Sequence, residues 1–583
     1  MTTDFSIRAA YAQKILREHV LQKFNLQHGT NRDELPELPP QNSAPKAPPI
    51  PGTIGIIGAG TAGLQVALIL LACNITNFEM LEASDDVGGR AHTIKFPKDE
   101  TCPHNYYDAG AMRIPDIGGM DRHVYNWLGL REKKVTYNYT NKKEPSMYLY
   151  QSNIGDVEKR NAKIDERFKN VMRAKGVGEG FLNAKTETEF EAAFEEFLDG
   201  LKDNFSTRSF LMTGLGLIDP FRRLFSYGET VVAETFETST GLFDQALLET
   251  IIDFCDFEAT KDVKWYRMEG GMSTVPYAMR DYILKQTPNA IEWNAPVVAL
   301  ADSGSMITAT LQNGTKRQYT YVFNTTPMSC LGQMDLSGLN IGPLSAMSTI
   351  DQNPLTAIRT LAYDRATKVA IKFKTPWWET IVPDGGVSNT DLPIGNVVYP
   401  SWNDGSDTPH VIIVSYTWAQ DATRMASLIT DASKSGEYNP DDYLVQLCFR
   451  DLALLWKDHG GPSASDLEKS YEAHSAWSWS QNPWSCGAYA LFAPGQFKHM
   501  YNTFTKPLCN NKLMVCGEAI SAHHAWISGA LDSAYNACLA WAHAIDSTGG
   551  LANAITATPF GGGKDHDTKE YDSNLWRHHV ALS

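Results

Sequence analysis

Thr53-Ile54-Gly55-Ile56-Ile57-Gly58-Ala59-Gly60-Thr61-Ala62-Gly63 opens the part of the chain that decides its fold. A short apolar run of strand length enters three glycines spaced G-x-G-x-x-G, and an apolar stretch of helical length continues to about Cys73. A second strand pattern, Phe78-Glu79-Met80-Leu81, ends at Glu82, nineteen residues past Gly63. Strand, glycine turn, helix, strand and acid in this order predict a βαβ unit that holds a dinucleotide. Gly58 allows the tight turn, Gly60 lets backbone approach a pyrophosphate, and Gly63 lets the helix pack closely on the strand. The free N–H groups of the helix N-terminus then face phosphate charge. Glu82 accepts from both ribose hydroxyls and repels a 2′-phosphate, which argues against NADP and leaves FAD or NAD. A purely structural glycine turn is the competing reading.

Composition bounds the rest. The 583 residues carry 51 Lys+Arg against 67 Asp+Glu, a formal charge of −16, with 43% hydrophobic and 20% charged residues. At roughly 150 residues per domain this predicts two to four domains. Hydrophobic content near the usual ~45–50% supplies a large core and excludes disorder as the main state. The acidic balance, with no basic run, makes nucleic acid and anionic membrane poor partners. The longest apolar run, Leu64 to Cys73, is about half the ~20 residues a spanning helix needs, so no membrane span is expected. The first twenty residues lack the apolar centre of a secretory signal. Nine dispersed cysteines without a CxxC pair predict buried free thiols and a reducing, cytoplasmic location, and no metal-ligand spacing is present.

Along the chain, residues 1–49 read as a helical arm and a connector, with seven of the 29 prolines falling within 34–52. Residues 151–264 have a helical texture. Thr186-x-x-Glu189 forms a capping box, Phe190, Phe194, Phe197, Leu198 and Leu201 share one helix face, and Leu247, Ile251 and Phe254 repeat the pattern. Core packing is the ordinary reading of these stripes. Beyond 290 the pattern becomes β: Val297–Leu300, Ile307–Leu311 before the hairpin signal Asn313-Gly314, and Tyr319–Phe323. A strand-like Lys512–Cys516 leads into Gly517-Glu518 and a last helix, and the tail after about 545 looks loosely held.

The choice between FAD and NAD is decided a few residues past Glu82. Glu82-Ala83-Ser84-Asp85-Asp86-Val87-Gly88-Gly89-Arg90 resembles the signature of the flavin-containing amine oxidase family. The resemblance continues through Gly110-Ala111-Met112-Arg113-Ile114-Pro115, Glu269-Gly270-Gly271-Met272-Ser273, Thr367-Lys368, Trp479 to Gly487-Ala488-Tyr489, and Gly517-Glu518 with Ala525-Trp526-Ile527. Six blocks in order cover most of the chain, and the GxMRIP and HxWI blocks together are similar to the L-amino acid oxidase group. The resemblance implies FAD as cofactor and an α/β fold: a Rossmann-like, glutathione-reductase-like FAD domain, a mixed-sheet substrate domain and a helical insert. The implied division is FAD domain at 50–89, 265–355 and 505–545, substrate domain at 90–150 and 356–504, helical domain at 151–264, and C-terminal tail at 546–583.

Roles carry over residue by residue. Arg113 resembles the arginine that pairs with a substrate carboxylate, a task suited to a planar, always-charged fork; a structural salt bridge is the alternative. Tyr399 resembles the second carboxylate donor, or is a core strand tyrosine. Lys368 resembles the lysine that holds a water beside the flavin and assists reaction with O2, or is an ordinary strand-end lysine. Glu518, opened by Gly517, resembles the carboxylate on the ribityl chain. Ala525 stands where many relatives have glycine, with its carbonyl implied to accept from the substrate amine, and Trp526 covers the flavin face. Trp479 and Trp484 are candidates for an aromatic wall, with core packing an equal alternative, and Val298 resembles the valine at the adenine. Ala62, Ala83, Gly89, Arg90, Gly110, Ala111, Met112, Ile527 and Ala530 complete the implied cofactor set. His523 and His524 read as packing groups, not bases.

The resemblance therefore implies oxidation of L-α-amino acids by transfer of the Cα hydride to flavin N5. O2 reoxidises the cofactor, and the products are 2-oxo acid, ammonia and H2O2, with a homodimer or higher homo-oligomer expected. A monoamine or polyamine oxidase, an amino acid 2-monooxygenase of the same superfamily, and a flavin-binding protein without turnover are the rivals. Asp219, Glu234 and Glu237 are acids that would favour lysine or arginine if they point inward, and surface solvation is their ordinary role.

Overall fold

The computed structural model describes residues 47–560, apart from 97–103, 116–127, 139–156, 175–176, 178, 180–203, 215–223, 238–241, 261–263, 342–352, 383–384, 402–409, 432–441, 505, 522–523 and 559. The N-terminal arm, most of the proline connector, the capping box at Thr186, the Phe190 to Leu201 stripe, Asp219 and residues 561–583 lie outside the described residues.

The opening stretch folds as strand β1 (Ile54–Ile57), helix α1 (Thr61–Ala72) and strand β2 (Phe78–Leu81). With β3 (Ile291–Glu292), β4 (Tyr321–Asn324) and β10 (Leu513–Val515) these strands form a sheet in the order β10-β4-β1-β2-β3, in which every pairing is parallel. A parallel sheet is covered on both faces, and its strands are accordingly mostly apolar, with Glu79 and Glu292 the partly exposed exceptions. Helix α1 is buried from Thr61 to Leu70 on all sides, as an evenly apolar helix must be. It packs between helices α3 (Thr274–Gln286) and α5 (Ile527–Ile545). A Cβ on Gly63 would lie 2.0 Å from the Gly58 carbonyl, so only glycine permits this approach of helix to strand.

A second five-stranded sheet joins β5 (Ala366–Phe373), β6 (Gly386–Asn389), β7 (Asn396–Tyr399), β8 (Val411–Trp418) and β9 (Tyr471–Ser478) in the order β6-β7-β8-β5-β9. All its pairings are antiparallel, so the mixed sheet expected here is corrected to an antiparallel one. Strand β7 follows β6 by a short turn, which suits an antiparallel hairpin and is too short for a parallel crossover. One face of this sheet packs on helix α4 (Tyr443–Trp456), and the other faces Trp265, Tyr416, Trp477 and Trp526.

Two further expectations change. The apolar run Tyr319–Phe323 divides at Thr320: Lys316–Tyr319 pairs with Ile307–Leu311 across the Asn313-Gly314 turn, whereas Tyr321–Asn324 joins the parallel sheet. Its first part alternates polar and buried, its second is apolar throughout, and the two patterns fit different surroundings. The tail is also ordered farther than expected. Gly550–Thr556 is a helix whose Leu551, Ala554 and Ile555 are buried in the core around α1 and α5. Among the described residues the helices at 157–172, 207–213, 227–236 and 247–260 fill the helical region, and no helix is long and apolar enough to cross a membrane.

Candidate active site

One cavity of about 620 Å³ runs from the first glycine turn to the open face of the antiparallel sheet. That is within the ~300–1,000 Å³ typical of ligand sites. At one end the N-terminus of α1 opens onto it: Gly60 caps the helix without a side-chain hydrogen bond, and no acid occupies the first turn. A Cβ built on Gly60 meets nothing within 4 Å, because that direction is the cavity. An uncapped, twelve-residue helix end of this kind favours an anionic group. Glu82 lines the cavity while its Oε2 accepts from Ala59 N at 2.7 Å and its Oε1 from Ser84 N at 2.9 Å. Its geometry is therefore set before any ribose arrives. These residues fit a dinucleotide.

The middle of the cavity joins three distant segments. Arg90 Nη1 donates to Glu518 Oε2 at 2.9 Å and to the Ala488 carbonyl at 3.0 Å. Glu518 Oε1 accepts from Ala490 N at 2.9 Å and Ala525 N at 2.8 Å. Gly517, at φ +138°, supplies a conformation open to glycine alone and turns Glu518 inward. Ala525 has φ +67°, which explains why glycine suits the position. A left-handed alanine costs about 1–2 kcal/mol, partly offset by the unfolded-chain entropy a glycine would add. Ala525→Gly should therefore raise stability by about 0.5–1 kcal/mol, read as a higher denaturation midpoint.

At the far end, Lys368 sits in β5, an inner strand of the antiparallel sheet, and is 2% exposed. Its Nζ donates to the Gly110 carbonyl at 2.7 Å and the Asp108 carbonyl at 2.9 Å, and lies 4.5 Å from the Tyr416 ring. Burial lowers its pKa to about 7, the Arg113 guanidinium pushes the same way, and Asp108 opposes. Register places Tyr416 of β8 and Trp477 of β9 directly beside Lys368, and both line the cavity. Arg113 lines it too, with its guanidinium 5.6 Å from the Trp265 ring, which is 5.8 Å from Trp526.

Of the residues singled out in the sequence, Gly58, Gly60, Ala62, Glu82, Ala83, Gly89, Arg90, Gly110, Ala111, Met112, Arg113, Val298, Trp479, Trp484, Gly517, Glu518, Ala525, Trp526, Ile527 and Ala530 all line this cavity. Trp484 and Val298 are at its exposed edge, whereas Trp479 is buried with Nε1 donating to the Ala109 carbonyl at 3.1 Å. Gly63 supports it from behind. His523 lies outside the described residues, and His524 is buried against Glu249, with Nδ1 2.7 Å from Oε1. Glu234 is held by Arg208 at 2.7 Å.

Tyr399 is not at the site. Its hydroxyl accepts from Trp456 Nε1 at 2.8 Å and from Ser388 Oγ at 3.2 Å, in the core on the α4 side of the sheet. Val398, its neighbour, is the residue that faces Tyr416 and Trp526. A strand alternates faces, so one residue of parity separates a site tyrosine from a core tyrosine. Tyr416, Tyr489 and Asp253 line the cavity and were not singled out for it. The pairing of Tyr416 with Lys368 was the available signal, but it requires the register of two strands 48 positions apart.

A family model described as flavin containing amine oxidoreductase matches residues 61–540. The chain belongs to the flavin-containing amine oxidase family. Its cofactor is accordingly FAD, in keeping with the dinucleotide fit of the glycine turn. L-amino-acid oxidase 4 of Hebeloma cylindrosporum is 32% identical over 94% of this chain and 89% of its own length. L-amino-acid oxidases of Siganus canaliculatus, 25% identical over 83% of this chain and 84% of theirs, and of Protobothrops flavoviridis, 22% identical over 84% and 88%, are more distant relatives. As a flavin-containing amine oxidase the protein is an oxidoreductase, and the resemblance drawn from the sequence blocks holds at the level of the family.

Proposed function

We propose that this protein catalyses the oxidative deamination of L-α-amino acids, yielding a 2-oxo acid, ammonia and H2O2. The observation that carries the reading is that Arg113 lines an aromatic-walled cavity together with Ala525 and Trp526, with the buried Lys368 directly beside its Tyr416 and Trp477 wall. An amine oxidase acting on plain amines has no use for a guanidinium facing the chamber, whereas an amino acid presents a carboxylate that matches it. FAD, when bound, is the acceptor of the substrate's Cα hydride and passes its electrons to O2.

The chain's own residues bind and orient. Arg113 takes the carboxylate. Tyr416, whose hydroxyl lies within the electrostatic reach of Arg113, takes the place assigned to Tyr399 as second donor. The Ala525 carbonyl receives the amine, and Trp526 and Trp477 exclude water. Lys368 commits two N–H bonds to backbone carbonyls, and its third neighbour is the weak acceptor Met112 Sδ at 3.6 Å, which a water would replace. The α1 N-terminus, Glu82, Arg90 and Glu518 would hold the cofactor's pyrophosphate, ribose and ribityl groups, and the parallel sheet with α1, α3 and α5 is read as the glutathione-reductase-like part of the chain.

Peroxide release from the FAD-loaded protein with L-amino acids, with D-amino acids and with the decarboxylated amines tests this reading. Only the first should be a good substrate. Equal turnover of the plain amines would overturn it. Tyr416→Phe should raise KM for amino acids about tenfold, one hydrogen bond to a charged group, while Tyr399→Phe should lower the melting temperature and leave KM within about twofold.

A further inference from the structure

Among the described cysteines five are buried, whereas Cys330 and Cys486 are partly exposed. Cys102 and the side chain of Cys255, in helix α2 (Leu247–Thr260), lie outside the described residues. Cys330 and Gln333 line the cavity from the segment that follows β4, and Pro483, Trp484 and Ser485 line it from the loop that follows β9. These two segments meet. Ser329 Oγ donates to the Ser485 carbonyl at 2.7 Å, and Gln333 Nε2 donates to Cys486 Sγ at 3.0 Å. Both thiols turn to one acceptor, the Pro483 carbonyl, at 3.9 Å from Cys330 and 3.3 Å from Cys486. The two thiols also interact with each other, and Arg90 places a positive charge near Cys330. Cys486 has φ +49°, a left-handed conformation that a β-carbon disfavours and that its surroundings must hold in place.

We propose that Cys330 and Cys486 form a redox-active dithiol, which a hydroperoxide such as H2O2 oxidises to a disulfide that bridges two walls of the flavin cavity. The reaction proposed above releases H2O2 into the cavity that Cys330 lines, and so supplies the oxidant at its source. Burial pushes the Cys330 thiol up to about 12, which makes Cys486 the first target. The Cys486 sulfur attacks one peroxide oxygen and the O–O bond breaks, giving a sulfenic acid at Cys486 and one water. The Cys330 sulfur then displaces the sulfenic hydroxyl. An S–S bond forms, and the hydroxyl leaves with the Cys330 proton as a second water. Two thiols and one H2O2 thus become one disulfide and two waters. The neighbouring position of the thiols makes the second step effectively unimolecular, so it outruns oxidation of Cys486 to the sulfinic acid. The bridge ties the segment beyond Thr325 and Thr326, which line the cavity, to the loop whose Ala488 carbonyl holds Arg90, and the oxidised protein should therefore release FAD more slowly.

The FAD-loaded protein, reduced with dithiothreitol and then freed of it, is treated with H2O2, alkylated after denaturation and mapped by peptide mass. The wild type should yield a Cys330–Cys486 disulfide peptide. Its flavin release, followed by fluorescence before denaturation, should slow by about tenfold and recover with dithiothreitol. Cys486→Ser should show neither the bridge nor the slowing. Recovery of both cysteines as free thiols, recovery of Cys486 as a sulfinic or sulfonic acid, or a bridge from either to another cysteine such as Cys102 or Cys255 would overturn the inference. An unchanged release rate in the bridged protein would overturn it as well. The wild-type map decides even if the variant fails to fold, and because the H2O2 is added, the result is independent of whether L-amino acids are the substrates.

Discussion

Arg113→Leu should lower kcat/KM for L-amino acids by about 10³-fold, about 4 kcal/mol, while the protein still loads flavin. The size follows from the place of the guanidinium. It lies in a chamber walled by Trp265, Trp477 and Trp526, where a carboxylate left without its partner keeps its full desolvation penalty. Leucine retains the apolar bulk and removes the fork. The loss should fall on amino acids and spare the corresponding plain amines, measured as a ratio of initial rates with peroxide readout. The same variant removes a like charge from beside Lys368, so the Lys368 pKa should rise from about 7. If Arg113→Leu affected amines and amino acids equally, its role would be structural.

Lys368→Met should have the second large effect, about 10²-fold on the return of the oxidised flavin spectrum after mixing with O2, with anaerobic reduction changed much less. It should also alter stability in a pH-dependent way. The unfolded lysine titrates near ~10.4, while the folded one is held to about 7 by burial. Below pH 7 the folded state carries a buried ammonium and bears the whole cost. Between about 7 and ~10.4 only the unfolded chain holds the extra proton, so wild-type stability rises with pH, and above that range the cost is gone. Lys368→Met escapes the cost throughout. Its melting advantage over wild type should be largest at neutral pH and below and should shrink toward pH ~10. An advantage independent of pH would mean that Lys368 is not held neutral by burial.

These residues also show what a sequence can and cannot disclose. Gly58, Gly60, Gly63 and Glu82 were legible because their chemistry is local: each does its work within one βαβ unit, and the motif spells that unit out. Arg113, Lys368 and Glu518 were legible as members of characteristic blocks, and folding brings Arg113 and Glu518 to one cavity and anchors Lys368 to the carbonyl of Gly110 on its wall, although the three come from different thirds of the chain. Tyr399 misled because strand parity decides which face a residue takes, and a block match carries no information about parity. Asp253 and Tyr489 were hidden for a related reason. They face one cavity from a helix of the 247–260 segment and a turn more than two hundred residues later, and nothing near either of them announces it. The helix at 550–556 was missed because Gly549-Gly550 reads locally as a loose tail, whereas Leu551 and Ile555 are claimed by a core built from the first and last helices.

Anaerobic mixing of the FAD-loaded protein with L-amino acids reads transfer of electrons from substrate to flavin without dependence on O2. The flavin absorbance should bleach with at least one L-amino acid and stay unchanged with its D enantiomer and with the amine lacking the carboxylate. A flavin-loaded protein that no L-amino acid reduces would contradict the proposed reaction.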